Sequence, residues 1–315
     1  LLFACFANLS AVIKRNDKGG LYHRGAGALT LQAGQRLTNN NGQLFSNGQL
    51  QLTAPQLENH RGNITAAATI GESLRLNISN ILDNTAGTIV AEGQRLSLNT
   101  KQIINNQGAV ILAGMDGFNI TAEAQLQNDN GLLHSESDLT LTTPQLSNVQ
   151  GLIQTAGNLA QLKAQQLDNT KGSIVVAGDA GRLNIDAASV QNVQGNIQAN
   201  SQLVLSADNF NNHSGYVAAL QQADITAAVL DNQAGQILAD NLVIKSVELS
   251  NTAGSIQGSS QLDLTSTLLR NLEGVIASDR LNLSSEQLDN EAGQLLAGTA
   301  LSLHAQQLNN SRGII

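Results

Sequence analysis

The 315-residue chain has no Trp, one Met, one Cys, two Pro, two Tyr and five Phe. Each scarcity excludes something. Cys5 alone closes no internal disulfide and supplies no Cys-rich metal site. Few exposed aromatics leave little to stack against sugars or bases; beyond the first few residues only Tyr22, Phe45, Phe118, Phe210 and Tyr216 occur, and Phe210 falls at an inward Leu position. The net charge of −8 is spread without acidic or basic blocks, so no stripe exists to neutralise phosphates and nucleic acid is excluded as a partner. With two Pro, long stretches can enter β-ladders, and Pro55 and Pro144, each in a "PQL" just ahead of a turn, are expected to mark corners. No run is long enough for a transmembrane helix: "LLFACFANLSAVI" suits the core of a signal peptide, but Lys14 and Arg15 follow it instead of preceding it. Residues 1–15 are therefore expected to be an irregular first coil or segment edge. The chain opens without Met and stops within a unit at "RGII", as a segment of a longer protein would.

What is abundant is Gly, Asn, Gln, Leu and Ala, in a repeat. Asn-x-x-Gly-x-(Ile/Leu/Val) recurs fifteen times, with Gly at 19, 42, 62, 87, 108, 131, 151, 172, 195, 215, 235, 254, 274, 293 and 313. The spacing runs from 19 to 25 residues, and the last six intervals are all 19 or 20. From the second copy onward an apolar residue stands two before the Asn, as at Leu37, Leu82, Phe210 and Leu288, and another stands two after the Gly. Between turns the pattern alternates, as in "RLSLN", "DLTLT" and "RLNID", which is the period of a strand with one buried face. Units of about twenty residues with two or three short strands and no helix predict a parallel β-solenoid over residues 16–315. One rung alone would not survive: about five inward aliphatics give roughly 7–15 kcal/mol, against about 1–2 kcal/mol per residue of backbone ordering. Stacking at about 4.8 Å per rung would make fifteen rungs a rod of about 70 Å.

In a stack the Asn side chains would lie one above another. Asn39, Asn59, Asn84, Asn105, Asn128, Asn148, Asn169, Asn192, Asn212, Asn232, Asn251, Asn271, Asn290 and Asn310 are therefore the predicted structural ladder, since an amide both donates and accepts. Asn also tolerates left-handed backbone at a sharp corner, while the Gly three residues later admits positive φ or a close approach of neighbouring backbones. Asp precedes the ladder Asn at 83, 168, 231 and 289, never in adjacent rungs, as expected if stacked like charges repel, so this column is expected to hold no carboxylate pair.

Chemistry is sparse. Asp116, Glu123, Asp129, Glu136 and Asp138 form the densest acidic stretch, and Asp116, Glu136 and Asp138 are weak candidates for a cation such as calcium or for a carbohydrate-directed site. His23, His60, His134, His213 and His304 fall in different rungs without HxH or HExxH spacing, and turn solvation accounts for His60 and His213. No GxSxG or Walker loop occurs, and "GAGALTLQAG" at 25–34 lacks a following basic residue. No catalytic residue and no cofactor is expected. Specificity, if any, belongs to the insertions "AATIGESLRL", "AGMDGFNI" and "AGDAGRLNI", which follow Gly62, Gly108 and Gly172.

The lines "LDNTKGSIVVAGDAGRLNIDAAS" (167–189) and "LDNQAGQILADNLVIKSVE" (230–248) resemble the haemagglutinin repeats of filamentous haemagglutinin and of contact-dependent growth-inhibition exoproteins. The resemblance implies a right-handed parallel β-helix within a large Gram-negative protein, exported by two-partner secretion through an outer-membrane pore. It further implies display at the cell surface as a monomeric filament that carries adhesive or toxin domains to a host or target cell. No NPNG, NPNL or VENN motif occurs, so secretion signal and toxin are expected elsewhere. The expected role is a stalk; the alternative is a carbohydrate-binding or carbohydrate-active β-helix near Asp116 and Asp138.

Overall fold

The computed structural model describes residues 7–315, all of whose regular structure is β-strand. Pairing is parallel throughout the registers below, and the chain is a parallel β-solenoid of fifteen turns. It divides into an N-terminal unit ending at Ala164 and a C-terminal unit beginning at Gln165, each described by itself.

Before Gly235 a rung starts with the Asn-x-x-Gly turn, continues into a four-residue strand, rounds a second corner and returns along a strand of nine to eleven residues, which Pro144 splits in one rung. In the N-terminal unit the short strands Gln43–Ser46, Asn63–Ala66, Thr88–Ala91, Ala109–Leu112 and Leu132–Ser135 stack in unbroken register. The long strands, among them Leu50–Glu58, Leu74–Asp83 and Arg95–Ile104, stack beside them with one-residue irregularities. The last four rungs behave differently: from Gly235 onward the two strands merge into Gln236–Ser250, Ser255–Arg270, Val275–Asp289 and Gln294–Asn309, whereas the rungs that begin at Gly195 and Gly215, with 20-residue spacing, keep them apart.

Alternation decides what is buried. Along Arg95–Ile104, Leu96, Leu98 and Ile103 point inward and are at most 2 % exposed, while Arg95, Ser97 and Asn99 face solvent. The apolar residue two before each Asn forms a continuous inner column, from Leu37 to Leu146 in one unit and from Leu167 to Leu288 in the other. Phe210 takes its place in the second column as expected, and Phe118 is buried too, which removes two of the few aromatics from the surface.

Three expectations need correction. Residues 7–15 are no irregular coil: Ala7–Arg15 is a strand in register with Leu29–Thr38, with one irregularity between Ala11 and Ile13. Cys5 and the start of the apolar stretch lie outside the described residues. Pro55 does not mark a corner but sits inside the strand Leu50–Glu58, where the pairing shifts between Ala54 and Gln56 and no donor is needed. Pro144 separates the strands Leu139–Thr142 and Gln145–Ser147.

The third correction concerns the turn. The left-handed residue is neither the ladder Asn nor the Gly but the residue between them, from Lys18 to Arg312, with φ of 51–59° in all fifteen copies. Only Asn41 and Asn130 there are of a type that accepts this region readily. The conformation aims that residue's N–H along the stack: Ala86 donates to the Asn106 carbonyl at 2.9 Å, and Ala234 to that of Thr252 at 2.9 Å. An inter-rung hydrogen bond thus offsets local strain. The Gly is required for space instead. A Cβ on Gly254 would stand 2.2 Å from the Asn232 carbonyl oxygen and 2.6 Å from the Asn251 Oδ1.

Gly254→Ala is therefore expected to cost more than about 3 kcal/mol, whereas Ala253→Gly, one residue earlier, should raise stability by about 0.5–1 kcal/mol. Urea denaturation followed by circular dichroism, with hydrogen exchange in flanking rungs, distinguishes them. Equal losses for both substitutions would refute the division of labour between the two positions.

Candidate functional site

Every ladder Asn from Asn39 to Asn290 is wholly buried, so each amide must satisfy itself within the protein. Its Nδ2 donates to the Oδ1 of the Asn one rung later. The distance is 2.7 Å for six consecutive pairs from Asn16 to Asn148 and for seven from Asn169 to Asn310. The same nitrogen also meets the Gly carbonyl of its own turn and a carbonyl of the next rung. Asn232, for example, reaches Gly235 and Ser255, both at 3.2 Å. Two protons and the acceptor are all used, and every link points the same way along the chain, the arrangement in which hydrogen-bonded amides polarise one another.

Sequence reasoning missed the second set of polar residues at this corner. The N–H of the residue after each ladder Asn has no ladder carbonyl to meet, and an Asx side chain supplies the acceptor at ten of fifteen turns. Where Asp or Asn precedes the ladder residue, it caps its own turn two residues on: Asp83 accepts from Thr85, Asp168 from Thr170, Asn211 from His213, Asp231 from Gln233, Asp289 from Glu291 and Asn309 from Ser311. Elsewhere the residue after the preceding ladder Asn reaches up one rung: Asp17 to Asn40, Asn40 to His60, Asn106 to Asp129 and Asp129 to Val149. The Asp positions thus have a bonding role, and the signal was present as the Asx-turn pattern.

The column also holds a carboxylate pair, contrary to expectation. Glu58 lies in register with Asp83 of the next rung. The repulsion is met on both sides, by Arg36 on Glu58 at 3.1 Å and by His60 Nε2 on Asp83 at 2.9 Å. His60 therefore faces a carboxylate, and not solvent alone, at its turn. Burial alone would raise the Asp83 carboxyl, but hydrogen bonds from the Thr85 hydroxyl, His60 and the Thr85 N–H, with the His60 charge, hold it below the usual carboxylate value.

The cation candidates are not brought together. Asp138 accepts from the N–H groups of Asn158 and Leu159, both at 3.0 Å, so it caps the next corner. Glu136 pairs with His134 at 2.8 Å. Asp116 is solvent-exposed, and Asp129 caps Val149. Among the described residues no group of three or more His, Cys, Asp or Glu gathers to hold a metal ion. His23 is buried against the Ser46 hydroxyl at 2.9 Å, and the backbone N–H of His213 donates to Asn211. Among the described residues no helix is long and apolar enough to cross a membrane.

Asn232→Ala should cost about 2–5 kcal/mol, because in a buried corner it takes the donor from the Asn251 Oδ1 and the shortest acceptor from the Asn212 amide, at about 1–3 kcal/mol each; a loss below about 1 kcal/mol in urea titration would show the ladder to be dispensable. The Asp83 shift carries a definite sign. A carboxyl depressed on folding stabilises fully above its unfolded value, near about 3.9, and that contribution is lost as pH falls through the folded value. Thermal melts of wild type and Asp83→Asn should therefore differ most at pH 5 and converge below about pH 4; a gap independent of pH would refute the assignment.

The haemagglutinin repeat family model matches residues 24–80, 70–129, 118–180, 172–246, 222–279 and 256–315. No curated protein and no solved structure matches the chain. The matches run without interruption from residue 24 to the last residue and overlap the same Asn-Gly turns and alternating strands that build the ladder, so the chain belongs to the filamentous haemagglutinin-type repeat family.

Proposed function

We propose that this chain is a stalk segment of a large secreted adhesin or contact-dependent inhibition exoprotein, displayed at a Gram-negative cell surface, which holds distal adhesive or toxin domains away from the cell. The observation that carries the reading is uniformity: fifteen rungs repeat one turn, and in the thirteen from Asn39 to Asn290 the same amide fills a buried corner. A catalytic centre needs one rung to differ from its neighbours by converging groups. The acids nearest to that description, Glu136 and Asp138, serve a pairing and a cap. The role is mechanical and non-enzymatic, and export runs through a dedicated outer-membrane partner pore, as the family membership supports. Surface contact with a host or target cell belongs to the domains the stalk carries.

The geometry supplies a clean test. Removing residues 232–289 from the exoprotein joins Asp231 to Asn290, deletes three whole rungs and keeps every column in register. Export and target-cell adhesion or killing should persist, with the reach shortened by about 14 Å at about 4.8 Å per rung. Loss of adhesion by an exported deletion variant whose remaining rungs melt normally would place a receptor site in the repeats and overturn the spacer reading.

A further inference from the structure

Three Asn-Gly pairs occur in the chain: Asn41-Gly42, Asn47-Gly48 and Asn130-Gly131. Such pairs are where a polypeptide loses ammonia most readily, because Gly puts no side chain in the way when its nitrogen turns onto the amide before it. All three Asn are exposed, so access to water does not distinguish them. Their places in the rung do.

Asn41 and Asn130 occupy the left-handed position of the ladder turn, with φ of 51° and 54°. The nitrogen that follows each is engaged: the Gly42 N–H donates to the Asn39 carbonyl and the Gly131 N–H to that of Asn128, both at 3.0 Å. The residues themselves are tied to the next rung, Asn41 to the His60 carbonyl at 2.8 Å and Asn130 to that of Val149 at 2.9 Å. To close an imide ring, the Gly nitrogen would have to lose its proton, leave its carbonyl and swing out of the turn. The turn opposes every one of those steps.

Asn47 stands at the second corner, directly after the strand Gln43–Ser46, and is not left-handed. Its N–H donates to the His23 carbonyl at 2.9 Å, and its Nδ2 to that of Arg24 at 3.2 Å. Neither bond involves the next nitrogen. Among the described residues no group accepts the Gly48 N–H, yet the Gly is required, since a Cβ there would stand 1.8 Å from the Gly27 carbonyl oxygen. Packing thus fixes a Gly behind an exposed Asn and leaves its nitrogen unbound.

We propose that Asn47 is a modification site, converted in the folded protein to aspartate and isoaspartate with water as co-reactant, and that the ladder turn shields Asn41 and Asn130 from the same reaction. The deprotonated Gly48 nitrogen attacks the Asn47 Cγ; the N–Cγ bond forms, the Cγ–Nδ2 bond breaks, and Nδ2 takes up a proton from solvent and leaves as ammonia. Water then opens the imide. Cleavage at N–Cγ restores the main chain with an aspartate, whereas cleavage between that nitrogen and the Asn47 carbonyl carbon routes the main chain through the side chain as isoaspartate. The nitrogen regains its proton either way, and nothing is oxidised or reduced. The new charge and the added main-chain atom fall at the corner that takes a longer loop one rung on, between Asn63–Ala66 and Leu74–Asp83, so the fold is kept. The site is independent of what the stalk carries.

Prolonged incubation of the 315-residue chain in mildly alkaline buffer, native and in urea, tests it. Asn41 and Asn47 share the tryptic peptide between Arg36 and Arg61, and fragmentation in the mass spectrometer assigns the gain in mass to one or the other. In the native protein Asn47 should convert at least about tenfold faster than Asn41 or Asn130, whose turn bonds must open first, and in urea the three rates should converge. Isoaspartate in that peptide, read by enzymatic methyl transfer, should disappear in Asn47→Gln, with a thermal melt matching wild type. A native ratio below about tenfold overturns the proposal. So does a preference for Asn47 that survives unfolding, since sequence and not the fold would then be choosing, or isoaspartate that persists in the peptide from Asn47→Gln.

Discussion

The structure depends on one amide seated on the one below it. A parallel ladder satisfies strand backbones without help, but a solenoid must turn, and each turn takes polar groups out of the ladder inside a buried corner. Burying such groups unpaired would cost about 1–3 kcal/mol apiece, repeated at every rung. The Asn column removes that penalty because its amide donates twice and accepts once in the available space. The Gly three residues on lets the next turn descend until its backbone touches the Asn beneath, within the reach of a missing Cβ. Neither residue works alone: without Gly the amides could not approach 2.7 Å, and without Asn the closeness would bury unsatisfied carbonyls.

Secondary features follow from that contact. The left-handed residue between Asn and Gly is strained, yet it directs an N–H to the next rung and so turns a corner into part of the ladder. At ten of the fifteen turns an Asx cap takes the remaining N–H, from the same rung or the one before, which explains why Asp and Asn cluster on both sides of the ladder residue. With the corner so crowded by structural bonds, little polar chemistry is left over for catalysis. Variation falls away from this corner, at the opposite corner, where the longer rungs loop out and the last four run straight through, and at single-residue irregularities within the long strands.

The fold and the ladder were legible because both are written as local spacing. Alternation identifies the buried face, and Asn-x-x-Gly at a steady interval identifies the turn and its stacking partner. Less legible was which atom does what within the turn. Asn and Gly are the residue types associated with left-handed backbone, yet the strained position is held by Ala, Gln, Lys or Arg at eleven of the fifteen turns, since the inter-rung hydrogen bond at that site outweighs the intrinsic preference. Propensity is a weak prior where tertiary bonds compete with it.

Sequence thus determined the rung: its length, its inward and outward residues, its amide and its small residue, all set by chemistry within some twenty positions. Tertiary structure alone decided what stands above what when insertions change the interval. Counting Asp predicts a column without stacked acids, but register brings Glu58 over Asp83 and supplies Arg36 and His60 from neighbouring rungs to hold them. The acids of residues 116–138, close together along the chain, are parted because alternate residues face opposite ways and corners claim their own caps. Distance along a solenoid is measured in rungs, so residues some twenty apart are neighbours and residues two apart need not be.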